Sequence, residues 1–233
     1  MKYSVEVCLL ALTLATTAAL TTGAQSASQV ETMQVGISVE LPITSNAVAM
    51  PTADREDSLV VSVTHEGNVY LGINPIGAAD LPESLKRALS SESGKKLYIK
   101  ADARAPYVSL EKVLGAARAA GVQAPALQTA QQVTSAQSIP LPPRGLDVRV
   151  GSAVPSDSRA ITVHVLNSGQ QRPTLKINDE NISWDTMRKS PSQSFPTGRV
   201  ISITADALLP VARVVEVIDL CHATGAKVLL ATP

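Results

Sequence analysis

One 23-residue block occurs twice in this chain, and no other feature constrains the fold as strongly. Ile99–Gly121 (IKADARAPYVSLEKVLGAARAAG) and Ile203–Gly225 (ITADALLPVARVVEVIDLCHATG) both read Ile-x-Ala-Asp-Ala-x-x-Pro and both close on glycine. Each block spells a strand end, a turn and a helix. Pro106 and Pro210 suit a helix start, where a missing N–H costs nothing, and Gly121 and Gly225 supply the left-handed residue that ends it. In the first copy Val108, Leu110, Val113, Leu114 and Ala117 lie mainly on one face. Asp102 and Asp206, placed between strand and proline, are expected to bond nearby backbone N–H groups as structural turn residues.

The sequence around the blocks repeats as well. Leu59–Thr64 and Val69–Ile73 read as strands joined by the turn His65–Asn68. Asp80, Pro82 and Glu83 open a helix over Leu81–Ser90, Leu97–Ala101 is a third strand, and Val122–Leu127 is a short last one. The order is ββαβαβ. It returns at Ile161–Leu166, Leu175–Ile177, Val200–Thr204, the helix Pro210–Thr224 and Lys227–Ala231. A shift of 104 residues aligns the copies without a gap, placing Leu71, Ile73, Asn74 and Gly94 on Leu175, Ile177, Asn178 and Gly198. Pro191 and Pro196 interrupt the first helix of the second copy, so a short helix followed by a loop is expected over Ser183–Pro196.

The expected class is therefore α+β: a tandem duplication of a small two-layer ββαβαβ domain, each sheet covered on one face by its helices, preceded by an N-terminal apolar helix. The expected boundaries are 1–24 for that helix, 25–58 for an extended segment and linker, 59–127 for the first domain, 128–145 for a second linker and 146–233 for the second domain. A chain of 233 residues accommodates two such cores.

Composition removes several function classes. One Trp, one Phe and four Tyr leave no aromatic platform for bases, and 20 basic residues balance 20 acidic ones without a basic run, so a nucleic-acid partner is not expected. His65, His164 and His222 show no metal-ligand spacing, and Gly-x-Ser-x-Gly, Ser-x-x-Lys and phosphate-loop patterns are lacking. No catalytic residue, cofactor or metal is assigned. Cys221 shares a helical face with Val214, Val217 and Ile218 and reads as a buried thiol.

Residues Val7–Gln29 carry no charge. The apolar run Cys8–Leu20 fits either a signal peptide cut near Ala24 or a single retained anchor, the interspersed threonines shortening it as a membrane span. Both readings place the remainder in the cell envelope. Beyond it Val35, Ile37, Val39 and Leu41 alternate up to Pro42 as a strand or extended segment, followed by a linker over Ser45–Asp57.

Taken together, an apolar start, the Val39–Pro42 stretch, the strand-turn-strand-helix order, "YIKAD" and the Pro-started, Gly-ended helix resemble the ExbD/TolR family of biopolymer-transport proteins. The resemblance covers about Gln34–Thr129 and, less fully, Leu146–Pro233, where Asp219 takes the family's helical Asp position and the first copy has Gly115. It implies a non-enzymatic envelope component, on the periplasmic side of the inner membrane, with ExbB/TolQ-like or TonB/TolA-like partners, and with peptidoglycan binding as the alternative. It also implies partner contacts through Val39, Leu41 and Pro42, the alternative being that this stretch simply pairs with its own domain, and a homodimer or a pseudo-dimer of the two repeats. The family couples protons through an Asp inside its membrane helix. Here no carboxylate stands between Glu6 and Glu31, so that coupling group is missing at membrane depth.

Overall fold

The structure, a computed structural model, describes residues 36–90, 95–132, 142–152 and 160–232. Short strands β1 (Ile43–Thr44) and β2 (Val48–Ala49) precede a first lobe made of β3 (Leu59–Val63), β4 (Val69–Leu71), β5 (Asn74–Pro75), α1 (Leu81–Ser90), β6 (Leu97–Ala101), α2 (Tyr107–Ala119) and β7 (Ala126–Gln131). Strands β8 (Arg144–Asp147) and β9 (Arg149–Gly151) lead into a second lobe of β10 (Ile161–Leu166), β11 (Thr174–Ile177), β12 (Glu180–Ile182), α3 (Trp184–Lys189), α4 (Pro191–Ser194), β13 (Val200–Ala205), α5 (Val211–Ala223) and β14 (Lys227–Ala231). The architecture is mixed α+β with two sheets. The apolar run Val7–Gln29 lies outside the described residues, among which no helix is long and apolar enough to cross a membrane.

Both sheets are built the same way around a central strand. β3 pairs antiparallel with β4 and parallel with β6, which pairs parallel with β7. β10 pairs antiparallel with β11 and parallel with β13, which pairs parallel with β14. Each parallel connection runs through a helix, as a crossover must. The gapless 104-residue alignment holds only for the repeated block, where Ile99 corresponds to Ile203. Val61 corresponds instead to Val163, 102 residues on, and Leu71 to Ile177, 106 residues on, because both strand pairs share one register. The cause is loop length: five residues, 64–68, join Val63 to Val69, whereas nine, 166–174, join Val165 to Leu175.

Two local expectations change for related reasons. The strand through Ile73 stops at Leu71, because Gly72 takes φ +61° and turns the chain into β5. Its counterpart in the second lobe is the turn at Asn178 and Asp179, both at positive φ, tolerated there by short polar side chains. After α3, capped by Ser183 Oγ accepting from Thr186 N–H at 3.0 Å, the expected loop holds a one-turn helix instead. Pro191 starts it, in the position where proline is tolerated.

The lobes differ in how their sheets are covered. In β10 only Ile161, Val163 and Val165 are buried, a one-sided alternation. Every residue of β3 is buried. Val61 and Val63 join the main core, while Val60 packs with Tyr98, Ala126, Met50 and Ala53 in a small second core on the opposite face. The stretch 45–57, expected as a linker, is thus partly a cover for the first sheet. Tyr98 Oη and Thr52 Oγ1 share a hydrogen bond of 2.6 Å within it. The main core is one continuous cluster running from Val61, Leu110 and Leu114 to Val163, Val214 and Ile218.

The residues between the lobes are a strand shared by both. β8 pairs antiparallel with β7, and Val148 and Val150 N–H continue that pairing onto Pro125 O (3.2 Å) and Gln123 O (3.0 Å). On its other side β9 pairs parallel with β14. Gly145 sits where this shared strand is most crowded. A Cβ there would lie 2.5 Å from Leu127 O and 2.6 Å from Met50 Sδ. Gly145→Ala is expected to destabilise the protein by about 1–3 kcal/mol through overpacking, measured as a lower denaturant midpoint. Unchanged stability would mean that Met50 does not close this face.

Candidate functional site: the seam between the lobes

The two repeated blocks meet each other at their prolines. Pro106 and Pro210 form an antiparallel bridge, and the amides that follow each proline donate to carbonyls that precede the other. Tyr107 N–H donates to Leu209 O (2.8 Å) and Val108 N–H to Ala207 O (2.9 Å). Reciprocally, Val211 N–H donates to Ala105 O and Ala212 N–H to Ala103 O, both at 2.9 Å. All four bonds interconvert under the 104-residue shift, so the seam has a local two-fold character. Neither Pro106 nor Pro210 offers a side-chain cap, and the opposite lobe supplies the acceptors that the helix starts require.

The segment 36–46 runs beside this seam. Ile37, Val39 and Leu41 are half-buried and alternate with exposed neighbours, and Pro42 is buried. Its backbone is spent on the first lobe: Ala103 N–H donates to Glu40 O at 2.7 Å, and Ala130 N–H to Pro42 O at 2.9 Å. β1 extends this pairing along the end of β7. Past β1 the chain reaches the second lobe. Asp219 Oδ2 and Oδ1 accept from the N–H groups of Ser45 (3.1 Å) and Asn46 (2.8 Å), and Asn46 Nδ2 donates to Asp219 O at 3.2 Å. The Cβ position of Gly115 faces open space; with no side chain, it offers no comparable clamp.

Asp102 is the electrostatic centre of the seam. Its buried carboxylate accepts from Glu40 N–H, Arg104 N–H and Arg104 Nε, each at 3.0 Å, and from Arg104 Nη2 at 3.1 Å. The Arg104 side chain, followed by the two backbone donors, holds the Asp102 pKa down to about 2 against the opposing effect of burial. Asp206 is half-buried and accepts from Asn167 N–H at 2.6 Å. Of the residues singled out from sequence, the seam brings together Val39, Leu41, Pro42, Asp102, Pro106 and Pro210. Asp206 bonds within its own lobe, and Gly121 (φ +89°) and Gly225 (φ +71°) close α2 and α5 at their far ends.

Sequence reading missed Asp219 as a clamp and Arg104 as the partner of Asp102. An Asp inside the apolar run Val217–Cys221, and an Arg two residues beyond a turn Asp, were the available signals. The three histidines stand apart: His65 beside Glu66 (2.6 Å), His164 Nδ1 on Thr204 Oγ1 (2.6 Å), and His222 Nε2 on Asp147 O (2.9 Å). Among the described residues no cluster of His, Cys, Asp and Glu could hold a metal ion. Cys221 is buried, which pushes its thiol pKa up.

Fold and seam together define a two-lobed α+β protein whose chemistry is backbone pairing between its own parts. Residues 20–132, which include the extended segment and the first lobe through β7, match the family described as biopolymer transport protein ExbD/TolR. This stretch of the chain belongs to the ExbD/TolR family. Comparison with curated proteins finds no match.

Because the folded Asp102 pKa lies below its ordinary 3.8, its contribution to stability is present above pH 3.8 and is lost as pH falls through about 2. Asp102→Asn is expected to cost about 1–3 kcal/mol at neutral pH, from a buried site left with too few acceptors. The gap to the unsubstituted protein should narrow as pH falls from 4 toward 2. Urea unfolding across that range checks it, and a gap independent of pH would contradict a stabilising role for the ionised Asp102 carboxylate.

Proposed function

We propose that this protein is a non-enzymatic component of biopolymer transport in the bacterial cell envelope, acting through protein–protein contacts of periplasmic lobes, the second lobe being a tandem copy of the first. The observation that carries this reading is the set of four seam bonds related by one 104-residue shift. One chain thereby contains a pseudo-dimer, and two copies of the block do the work for which a single-domain relative would need a second molecule. The family match of residues 20–132 supports the transport class.

In this reading residues 1–24 are either a signal peptide removed near Ala24 or a passive anchor, and the lobes stand on the periplasmic side of the inner membrane. Without a carboxylate between Glu6 and Glu31, the chain takes no proton across the membrane itself and serves as a scaffold. Its partners are ExbB/TolQ-like or TonB/TolA-like envelope proteins, met through the half-exposed Val39 and Leu41, set in place by the buried Pro42, and through the adjoining Ile43 and Val48, which are 66% and 52% exposed. Exposed apolar side chains beside an extended segment suit an added strand or helix from a partner.

A photo-cross-linking residue at Val48, introduced into the full chain in living cells, tests this. An adduct with an integral or TonB-like envelope protein is expected. Recovery of peptidoglycan alone would contradict the reading and favour a wall-binding module.

A further inference from the structure

The two proline turns share one backbone and differ in what lies on them. Asp102 N–H donates to Val63 O (2.9 Å) and Asp206 N–H to Val165 O (3.0 Å). Ala105 N–H donates to Asp102 O (3.0 Å) and Leu209 N–H to Asp206 O (3.1 Å). On the first turn these bonds set up a clamp for an extended chain. Glu40 N–H donates to Asp102 Oδ2 at 3.0 Å, and Ala103 N–H donates to Glu40 O at 2.7 Å. Both backbone groups of one residue are thus held, with Val39 and Leu41 half-buried on either side of it.

On the second turn the corresponding atoms are open. Ala207 and Leu208, the counterparts of Ala103 and Arg104, have amides with no acceptor among the described residues. Asp206 gives Oδ2 to Asn167 N–H at 2.6 Å, and no described residue donates to Oδ1. Exposure agrees with this: Asp102 is buried and Ala103 half-buried, whereas Asp206 is half-buried and Ala207 exposed. Leu208, 75% exposed, is the most exposed large apolar side chain among the described residues. The strand that precedes β9 in sequence, β8, is paired with β7 and does not serve this turn as Glu40 serves the first.

We propose that this second clamp binds an extended segment of a partner protein in which a basic residue stands between two apolar ones. The first turn is the template. The middle residue donates its N–H to the open Asp206 oxygen and accepts from Ala207 N–H, backbone bonds of the kind by which a peptide adds to a strand edge. Its apolar neighbours cover Leu208. Charge selects the middle residue. On the first turn Glu40 is accommodated by Arg104, whose Nε lies 3.6 Å from Glu40 Oε2 and 3.0 Å from Asp102 Oδ1. Leu208 supplies no such cation, so an acid at that position meets Asp206 unscreened, whereas a Lys or Arg pairs with it. The same argument disfavours the segment 36–42 of a second copy, whose middle residue is Glu40. The inference does not depend on the transport reading.

Full-length protein labelled with nitrogen-15 is titrated, with amide resonances as the readout, with two synthetic peptides: residues 36–44 of this chain, and the same peptide carrying Glu40→Lys. Saturable shifts at the amides of Ala207 and Leu208 are expected with the lysine peptide, which should bind about threefold or more tightly than the glutamate peptide. In the protein variant Leu208→Arg, made at an exposed position, the first turn's cation is restored and the order of the two peptides should reverse. The dispersion of the amide spectrum checks that this variant is folded. The proposal is overturned if the lysine peptide gives no saturable shift at Ala207, or if Leu208→Arg leaves the order of the peptides unchanged. It is equally overturned if the glutamate peptide binds the unsubstituted protein as tightly as the lysine peptide, which would point to a second copy of this chain as the occupant.

Discussion

The first turn of a helix has amides with no partner inside the helix, and in this protein two such turns solve the problem for each other. A serine or aspartate before α2 or α5 would have capped each helix locally. Proline stands there instead, offering neither a side-chain acceptor nor an N–H. Tyr107 and Val211, the first residues of the two helices, are fully buried, so unpaired amides at these positions would each cost about 1–3 kcal/mol. Placing the two turns antiparallel pairs all four amides with the other lobe's loop carbonyls. Each copy of the block thus completes the other, a physical reason for one chain to carry the block twice.

A second exchange reinforces the seam. The last strand of each lobe is extended by a strand that precedes that lobe in sequence and packs on the helix of the opposite one. β1 pairs with β7 and touches α5, while β9 pairs with β14 and touches α2. Asp219 and Asp102 hold the first of these crossing segments at two points, on Ser45–Asn46 and on Glu40. The exchange is not symmetric in detail. Asp219 has only Gly115 as its counterpart, and among the described residues only the first sheet has a second core, around Val60 and Tyr98. The lobe that lies in the family match is thereby the more enclosed one, and β10 keeps Thr162, His164 and Leu166 only half-buried.

Much of this was legible in the residues. The period of Val108, Leu110, Val113 and Leu114, the prolines and the closing glycines place α2 and α5 correctly, since local chemistry decides helix ends. The strands β3, β6, β10, β13 and β14 follow from apolar runs. The hairpin registers did not, because the four extra residues in the second lobe's loop are invisible to a fixed shift until strand pairing is seen. The shared strand was also hidden: Gln128–Arg144 has a linker's composition, yet β7 continues to Gln131 and β8 begins at Arg144. For the second core, Val60 and Tyr98 were the clue, two apolar residues on strand faces that a one-sided sheet would leave polar. The pairing of the two proline turns had no sequence signal beyond the repeat, since its four bonds are all between backbone atoms.

Hydrogen exchange at the amides of Tyr107, Val108, Val211 and Ala212 tests the mutual capping most directly. First-turn amides without a partner exchange freely, so protection at these four reports the seam and nothing within either helix. The account predicts that all four are protected together, to the level of the amides in β6 and β13. Fast exchange at these four while β6 and β13 stay protected would show that the lobes do not cap one another in solution.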